Sequence, residues 1–130
     1  MFMDAHALLS LNYYTTCISM YYEANRMSVF LVETYVIKPD KQAEFTAYKK
    51  KWKKFFAKWL KELKSYKMFT QLFGGNYGGY VEMWEFKNMA NLEKFYGRLM
   101  HSDYPTKLQP EFLSLLVPGA YSMSIWNPIE

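Results

Sequence analysis

The sequence predicts an α+β domain in which elements follow the order βαββαβ and four strands form one antiparallel sheet. Two observations favour this class. A run of β-branched and aromatic residues leads into a long helical repeat, and a glycine-rich turn is followed by a second strand, helix and strand. The chain has 130 residues, 51% of them hydrophobic, which suits one domain with a real core.

The first strand is predicted at residues 29–37, and Lys38-Pro39-Asp40 ends it. Side chains alternate between the two faces of a strand. Both faces are apolar here: Val29, Leu31, Tyr35 and Ile37 share one face, and Phe30, Val32 and Val36 share the other. The sheet is therefore expected to be covered on both sides.

A long amphipathic helix follows, and Asp40 is expected to cap its N-terminus. Its apolar residues recur at steps of three and four, which places them on one face. They are Phe45, Tyr48, Trp52, Phe55, Phe56, Trp59, Leu60 and Leu63. The opposite face carries Lys50, Lys51, Lys53, Lys54, Lys58, Lys61 and Lys64.

The second half of the chain repeats the pattern with a hairpin first. Strands are predicted at residues 66–73 and 80–86, joined by a turn at residues 74–79 that holds four glycines. Asn88 is expected to cap a second helix that continues to Leu99. A shorter helical segment is predicted at residues 105–117, and a half-exposed strand at residues 120–126.

Right-handed crossovers fold this order into a ferredoxin-like sheet in which the first and third strands are central neighbours. Both helices then lie on one face of the sheet. The other face, with Phe30, Val32 and Val36, needs cover from elsewhere, so the sequence predicts a homodimer formed through that face. The twelve Tyr, ten Phe and four Trp are more aromatic surface than a compact monomer needs, which also favours a partner surface or a pocket.

Residues 1–26 lack a clear period and are interpreted as an extension, with the domain at residues 27–130. Two explanations stay open: a start codon assigned too early upstream of Met27, or an arm that docks on a neighbouring surface.

Composition excludes several classes of protein. Cys17 is the only cysteine, the N-terminus lacks a secretory signal, and the longest uncharged run is short for a membrane span. We therefore expect a cytoplasmic protein that does not enter a membrane.

Charge is concentrated in one segment. Residues 38–67 carry eleven lysines against three acidic residues, while the whole chain has a net charge of +4. This lysine face could bind phosphates, but its aromatic residues lie on the opposite, buried side, so no rings are available for base stacking. A solvated face is the favoured interpretation, and a nucleic-acid partner is not expected.

Residues 28–126 resemble the dimeric α/β-barrel superfamily, and within it the NIPSNAP-like and antibiotic-biosynthesis-monooxygenase-like branches. Two segments carry the resemblance: the first strand with Lys38-Pro39-Asp40, where the family commonly has Pro-Gly, and the strand-to-helix segment from Glu82 to Asp103 with its Trp84-Glu-Phe and Arg98-Leu-Met parts. The superfamily includes cofactor-free oxygenases, haem-handling enzymes and isomerases. Membership therefore implies a fold and leaves the activity to analogy.

Glu33 and Glu82 interrupt apolar strand stretches on the two central strands, where a buried carboxylate is costly unless it is paired or neutral. Glu33 shares a face with Tyr35, and Glu82 shares one with Trp84. The resemblance implies that these faces look toward the helices, where the superfamily keeps its ligand pocket. Two close carboxylates would raise one pKa and create an acid or base; the favoured alternative is that each pairs with a Lys, an Arg or a Tyr hydroxyl.

His101 follows the second helix and is a candidate proton carrier, although a His at a helix C-terminus more often interacts with the helix dipole. The haem-degrading branch has an Asn on its first strand where this chain has Glu33, which speaks against haem chemistry. Metal-ligand spacing and nucleotide-binding motifs are missing as well, so no cofactor and no metal are predicted.

The leading hypothesis is a homodimer that binds a hydrophobic or aromatic small molecule between sheet and helices, lined by Tyr35, Trp84 and Trp126. As an enzyme it would be a cofactor-independent monooxygenase or isomerase, with Glu33, Glu82 and His101 as catalytic candidates. The rival is a non-catalytic dimerisation or interaction module. An enclosed, partly polar cavity beside Trp84 and Glu33 would favour ligand binding over the module.

Overall fold

The computed structural model of this chain describes residues 16–17, 27–72 and 78–129. Its helices and strands are β1 (Val29–Val36), α1 (Gln42–Leu60), β2 (Ser65–Thr70), β3 (Gly79–Phe86), α2 (Met89–Met100), α3 (Gln109–Ser114) and β4 (Ser122–Trp126). The predicted βαββαβ order is confirmed, with one short additional helix before the last strand.

The four strands form one antiparallel sheet in the order β2-β3-β1-β4, so β1 and β3 are the central neighbours, as predicted. Across this central pair, Leu31 lies opposite Trp84 and Glu33 lies opposite Glu82. Directly opposed residues point to the same face of a sheet. The two carboxylates therefore share one face.

The predicted N-terminal cap of α1 is wrong. Asp40 lies within a 3₁₀ turn, Pro39–Lys41, that precedes the helix, and no side chain caps either element. Pro39 has a fixed φ suited to the start of such a turn. The backbone closes the turn itself, because the Lys41 N–H donates to the Lys38 carbonyl oxygen at 2.9 Å.

The cap of α2 is confirmed: the Asn91 N–H donates to Oδ1 of Asn88 at 2.9 Å. The helical segment predicted at residues 105–117 divides into a π-helical turn, Tyr104–Leu108, and the short α3. Pro105 and Pro110 stand at the start of these two pieces. A proline lacks the N–H that would continue a preceding helix, which explains the division.

The core lies between the sheet and the helices. Helix α1 buries Phe45, Tyr48, Trp52 and Phe56, and these side chains pack with buried residues of β1, β3, α2 and α3. The core residues from the sheet are Val29, Leu31, Tyr35, Trp84 and Phe86. Most of the aromatic surplus that the composition shows is thus used in packing one face of the sheet.

The opposite sheet face is only partly covered in this chain. Val32 is buried there and Phe30 and Val36 are half-buried, while Phe69 and Trp126 are 47% and 53% exposed. Strand β4 was predicted to be half-exposed, but all five of its residues are exposed. Among the strands that the structure describes, it lies at the edge of the sheet and pairs with β1.

Several predictions fall outside the described residues. They concern most of the extension, at residues 1–15 and 18–26, the last residue of the strand predicted at 66–73, and residues 74–77 of the predicted turn. Within the described ranges, no helix is both long and apolar enough to cross a membrane.

Candidate ligand cavity and carboxylate pair

A cavity of about 170 Å³ lies between the sheet and the helices. Glu33, Tyr35 and Trp84 line it, as the sequence predicts for a pocket. The other lining residues are Leu31, Tyr48, Lys49, Trp52, Phe56, Glu82, Phe95, Tyr96, Leu99, Met100, Tyr104, Gln109, Phe112, Tyr121 and Met123. The wall is thus aromatic and aliphatic, with a few polar groups gathered at the sheet.

Glu82 is a fully engaged carboxylate. It is only 4% exposed, the Tyr35 hydroxyl donates to its Oε2 at 2.6 Å, and the Tyr66 hydroxyl donates to its Oε1. The Lys49 ammonium lies 3.6 Å from Oε1. These partners stabilise a buried negative charge. Glu82 is thus paired with a Lys and with two Tyr hydroxyls, in line with the alternative favoured from sequence.

Lys49 brings the positive charge into this site from α1. Burial lowers its pKa, and the neighbouring charge of Glu82 opposes that change. Its ammonium also lies 3.7 Å from the centre of the Trp52 ring. The ammonium is thus held between a carboxylate and an aromatic face, and it brings positive charge to the wall of the cavity.

Glu33 is in a different state from Glu82. The Tyr121 hydroxyl donates to Oε2 of the Glu33 carboxylate at 2.6 Å. Burial, and then the charge of Glu82, raise the pKa of Glu33 to about 7, against smaller lowering effects from Tyr121, Trp84 and Lys49. A carboxyl group with this pKa exchanges protons readily at neutral pH.

Trp84 presents an unused donor to the same site. Its side chain is 4% exposed, and its buried Nε1–H has no hydrogen-bond partner in the described part of the chain. A side-chain hydrogen-bond contact from the indole lowers the pKa of Glu33, so the N–H lies toward that carboxylate, but the pair does not reach normal hydrogen-bond geometry. A buried donor without a partner costs about 1–3 kcal/mol, so an acceptor on a ligand would be favourable here.

Five tyrosines lie near the carboxylate pair: Tyr35 and Tyr48 are buried, Tyr66 and Tyr104 are half-buried, and Tyr121 is 38% exposed. Burial raises the pKa of Tyr35, Tyr48, Tyr66, Tyr104 and Tyr121, and the charges of the two glutamates raise most of them further. All five therefore stay protonated at neutral pH, and Tyr35, Tyr66 and Tyr121 donate hydrogen bonds to the two glutamates.

Two predicted site residues do not reach the cavity. His101 is exposed at the C-terminus of α2, where its backbone N–H donates to the Gly97 carbonyl oxygen. Trp126 lies opposite Phe30 on the other sheet face. Neither side chain lines the cavity, so we leave both out of the candidate site.

Three important residues were missed from sequence: Lys49, Tyr66 and Tyr121. Lys49 follows Phe45 by four positions and precedes Trp52 by three, so its spacing could have placed it on the buried face of α1. Tyr121 alternates with Met123 and Ile125, so these three side chains are predicted to lie on one side of the last strand. The alternation does not show that this side meets the cavity. For Tyr66 no local signal exists, because its role depends on the pairing with Trp84.

Among the residues that the structure describes, no group of three or more His, Cys, Asp or Glu side chains could hold a metal ion. What the arrangement can do is accept or donate one proton at Glu33, beside a fixed cation and an unpaired N–H donor.

Comparison with known proteins gives the family. The NIPSNAP family model matches residues 30–114, which is well over half of the chain. This chain belongs to the NIPSNAP family. The resemblance noted from sequence is thus confirmed, while a search of curated proteins found no match for this NIPSNAP chain.

Solved structures agree on the fold of this NIPSNAP chain. A NIPSNAP family protein from Agrobacterium tumefaciens aligns with a TM-score of 0.63 and 17% identity, covering 82% of this chain and 90% of its own. A second NIPSNAP family protein from that organism, of unknown function, has a TM-score of 0.60 and 15% identity, covering 79% and 89%. A candidate antibiotic biosynthesis monooxygenase from Caulobacter crescentus has a TM-score of 0.62 and 17% identity, covering 86% and 99%.

Proposed function

We propose that this NIPSNAP chain binds an uncharged hydrophobic or aromatic small molecule in the cavity, and that Glu33 exchanges a proton with it. One observation carries the proposal: a carboxyl group with a pKa of about 7 lines the cavity beside the buried, unpaired N–H of Trp84. Both groups have unused bonding capacity in the described structure. Buried polar groups without partners are uncommon and concentrate at functional sites.

The chemistry follows from these positions. Ionised Glu33 takes a proton from a carbon next to a carbonyl group, and the electron pair moves onto the carbonyl oxygen. The Trp84 N–H donates to that oxygen as its charge develops, and Lys49 supplies positive charge nearby. Glu82 stays hydrogen-bonded to Tyr35 and Tyr66 and affects the reaction only through its negative charge. Of the two glutamates that the sequence offers as catalytic candidates, we therefore assign the catalytic role to Glu33.

Two reaction classes share this first step. An isomerase would return the proton to a different carbon, and a cofactor-independent oxygenase would let the enolate react with O₂. The description of the Caulobacter protein supports the second class only through the shared fold.

Hydrogen exchange at carbon tests the shared step without assuming either product. In D₂O, the wild-type protein should accelerate exchange of the acidic C–H of 2-tetralone, an uncharged aromatic ketone, and the rate should rise with pH and level off above about pH 7. Glu33→Gln should reduce the acceleration at least 100-fold, the usual lower range for a lost general base. Exchange is read by proton NMR.

The matched control is Glu111→Gln, which removes a carboxylate that pairs with Lys51 outside the cavity and should leave exchange unchanged. Equal exchange rates for wild type and Glu33→Gln would overturn the role of Glu33. Wild-type exchange at the rate of buffer alone would do the same.

We also propose the homodimer predicted from sequence, formed through the sheet face that carries Phe30 and Val36. Support comes from the large apolar side chains Phe69 and Trp126, which stay exposed on that face in the single chain. Wild type should sediment as a dimer at micromolar concentration and Trp126→Lys as a monomer, while Ile129→Lys, at a residue 99% exposed, should remain dimeric. A monomeric wild type would contradict this proposal.

The cavity supports the ligand-binding proposal over the rival interaction module, because a partly polar space beside Trp84 and Glu33 is the feature expected of a ligand site. A cytoplasmic location, proposed from the single cysteine, and the absence of a nucleic-acid partner remain expectations from composition.

A further inference from the structure

A second, apolar groove lies between α2 and the edge strand β4. Its volume is about 370 Å³. Apart from Glu93, its lining side chains are apolar or aromatic: Leu31, Phe86, Met89, Leu92, Phe95, Tyr96, Met123 and Ile125, together with Gly97. The groove thus offers almost nothing for a hydrogen bond and suits hydrocarbon.

The groove adjoins the cavity that holds Glu33. Four residues, Leu31, Phe95, Tyr96 and Met123, line both spaces. Tyr96 and Met123 are 45% and 49% exposed. Two such side chains at the junction can move with little packing loss, and Met is the most adaptable of the apolar residues.

Apolar surface in the groove stays exposed in the single chain, which favours binding of a ligand there. Ile125 is 47% exposed, and its side chain points to the helix face because it lies opposite Leu31. A Cβ atom added at Gly97 would meet nothing within 4 Å, so space remains open beside α2. Residues 89–97 of α2 extend about 12 Å along the groove, a length that fits an elongated group rather than a compact aromatic ring.

We propose that the ligand of this protein carries an alkyl chain, which lies in the α2–β4 groove while the polar head of the ligand lies at Glu33 and Trp84. This inference rests on the proposed function, because it uses the same cavity for the head. The ligand class is therefore an amphiphile with an uncharged, weakly acidic head and a hydrocarbon tail. Continuity of the groove with the cavity favours this occupant over a second copy of the chain.

A series of 4-alkylphenols tests the proposal, because a phenol can donate to Glu33, accept from Trp84 and carry a tail of any length. Binding of 4-ethyl- to 4-octylphenol to the full chain is measured by titration calorimetry. Affinity should rise roughly two- to fourfold for each added methylene, as expected for burial of hydrocarbon. In Ile125→Asn the octyl compound should lose at least tenfold in affinity, and the ethyl compound should change less than twofold.

The matched control is Ile129→Asn, at a residue that lines neither space and is 99% exposed, and it should bind the whole series like wild type. If ethylphenol binds but longer chains bind no better, the tail inference is overturned and the proposed function stands. If no member of the series binds, both are overturned. If Ile125→Asn dissociates a wild-type dimer, a second copy covers the groove and the tail inference is overturned.

Discussion

Replacing Glu33 with Gln should make the protein more stable at pH 8, by roughly 2–3 kcal/mol. The pKa of Glu33 is about 7 in the folded chain and 4.5 for an ordinary Glu side chain. The folded state therefore binds more protons than the unfolded state between these two values, and stability falls as pH rises from about 4.5 to about 7. Above that range the wild type carries the whole cost of an ionised Glu33, which Gln avoids.

Urea denaturation at pH 4.5 and pH 8 measures this difference. The free energies of unfolding of wild type and Glu33→Gln should be similar at the lower pH and should separate at the higher one. The control Glu111→Gln, which changes a carboxylate outside the cavity, should not be more stable than wild type at pH 8. A Glu33→Gln variant that is no more stable than wild type at pH 8 would show that Glu33 carries no such cost.

Replacing Glu82 with Gln should have the opposite effect and destabilise the protein by about 3 kcal/mol at neutral pH. The Lys49 ammonium, whose side chain is 15% exposed, would lose its anion. One amide oxygen would also have to serve two tyrosine hydroxyls, those of Tyr35 and Tyr66. Removing one partner of a buried ion pair leaves the other charge uncompensated, and this destabilises the folded state more than replacing both partners does.

The same variant should lower the pKa of Glu33, because the charge of Glu82 is its second largest cause of elevation after burial. Adding Lys49→Met to Glu82→Gln should recover part of the lost stability, which a double-mutant cycle quantifies. Glu111→Gln removes the exposed pair with Lys51 and should cost less than about 1 kcal/mol. A comparable cost for Glu82→Gln would mean that the pair contributes little.

These opposite effects distinguish two carboxylates that look alike in sequence. Glu82 stabilises the fold, whereas Glu33 costs stability at the pH where its proton would be exchanged. A residue retained at a cost to stability is typical of a functional site. Of the two alternatives that the sequence left open, we therefore propose structural pairing for Glu82 and the acid or base role for Glu33.

Periodicity was enough to predict the strands, both long helices and the shared face of β1 residues, because each depends on local pattern. Strand parity also placed Glu33 on the face of Tyr35 and Glu82 on the face of Trp84, and the family resemblance implied that these faces look toward the helices. Parity could not show that the two glutamates lie directly opposite each other, because register depends on how β1 and β3 pair over a long sequence separation. Tyr35 and Glu82, which form a hydrogen bond, are 47 positions apart.

Strand β4 shows a second limit. Both of its faces carry apolar residues, Tyr121, Met123 and Ile125 on one and Trp126 on the other, so alternation did not reveal which face meets the cavity. Trp126 pairs with Phe30 and therefore lies on the sheet face away from the helices, so the other side of β4 meets the cavity. Tyr121 consequently contacts Glu33, and Trp126 lies on the far side of the sheet.

The central claim is that Glu33 titrates near neutral pH inside the cavity. A ¹³C NMR titration of the glutamate carboxyl carbons, with the Glu33 signal assigned by its loss in Glu33→Gln, tests it most directly. The predicted result is a transition of the Glu33 signal centred near pH 7. A transition near 4.5, the ordinary value, would contradict the claim.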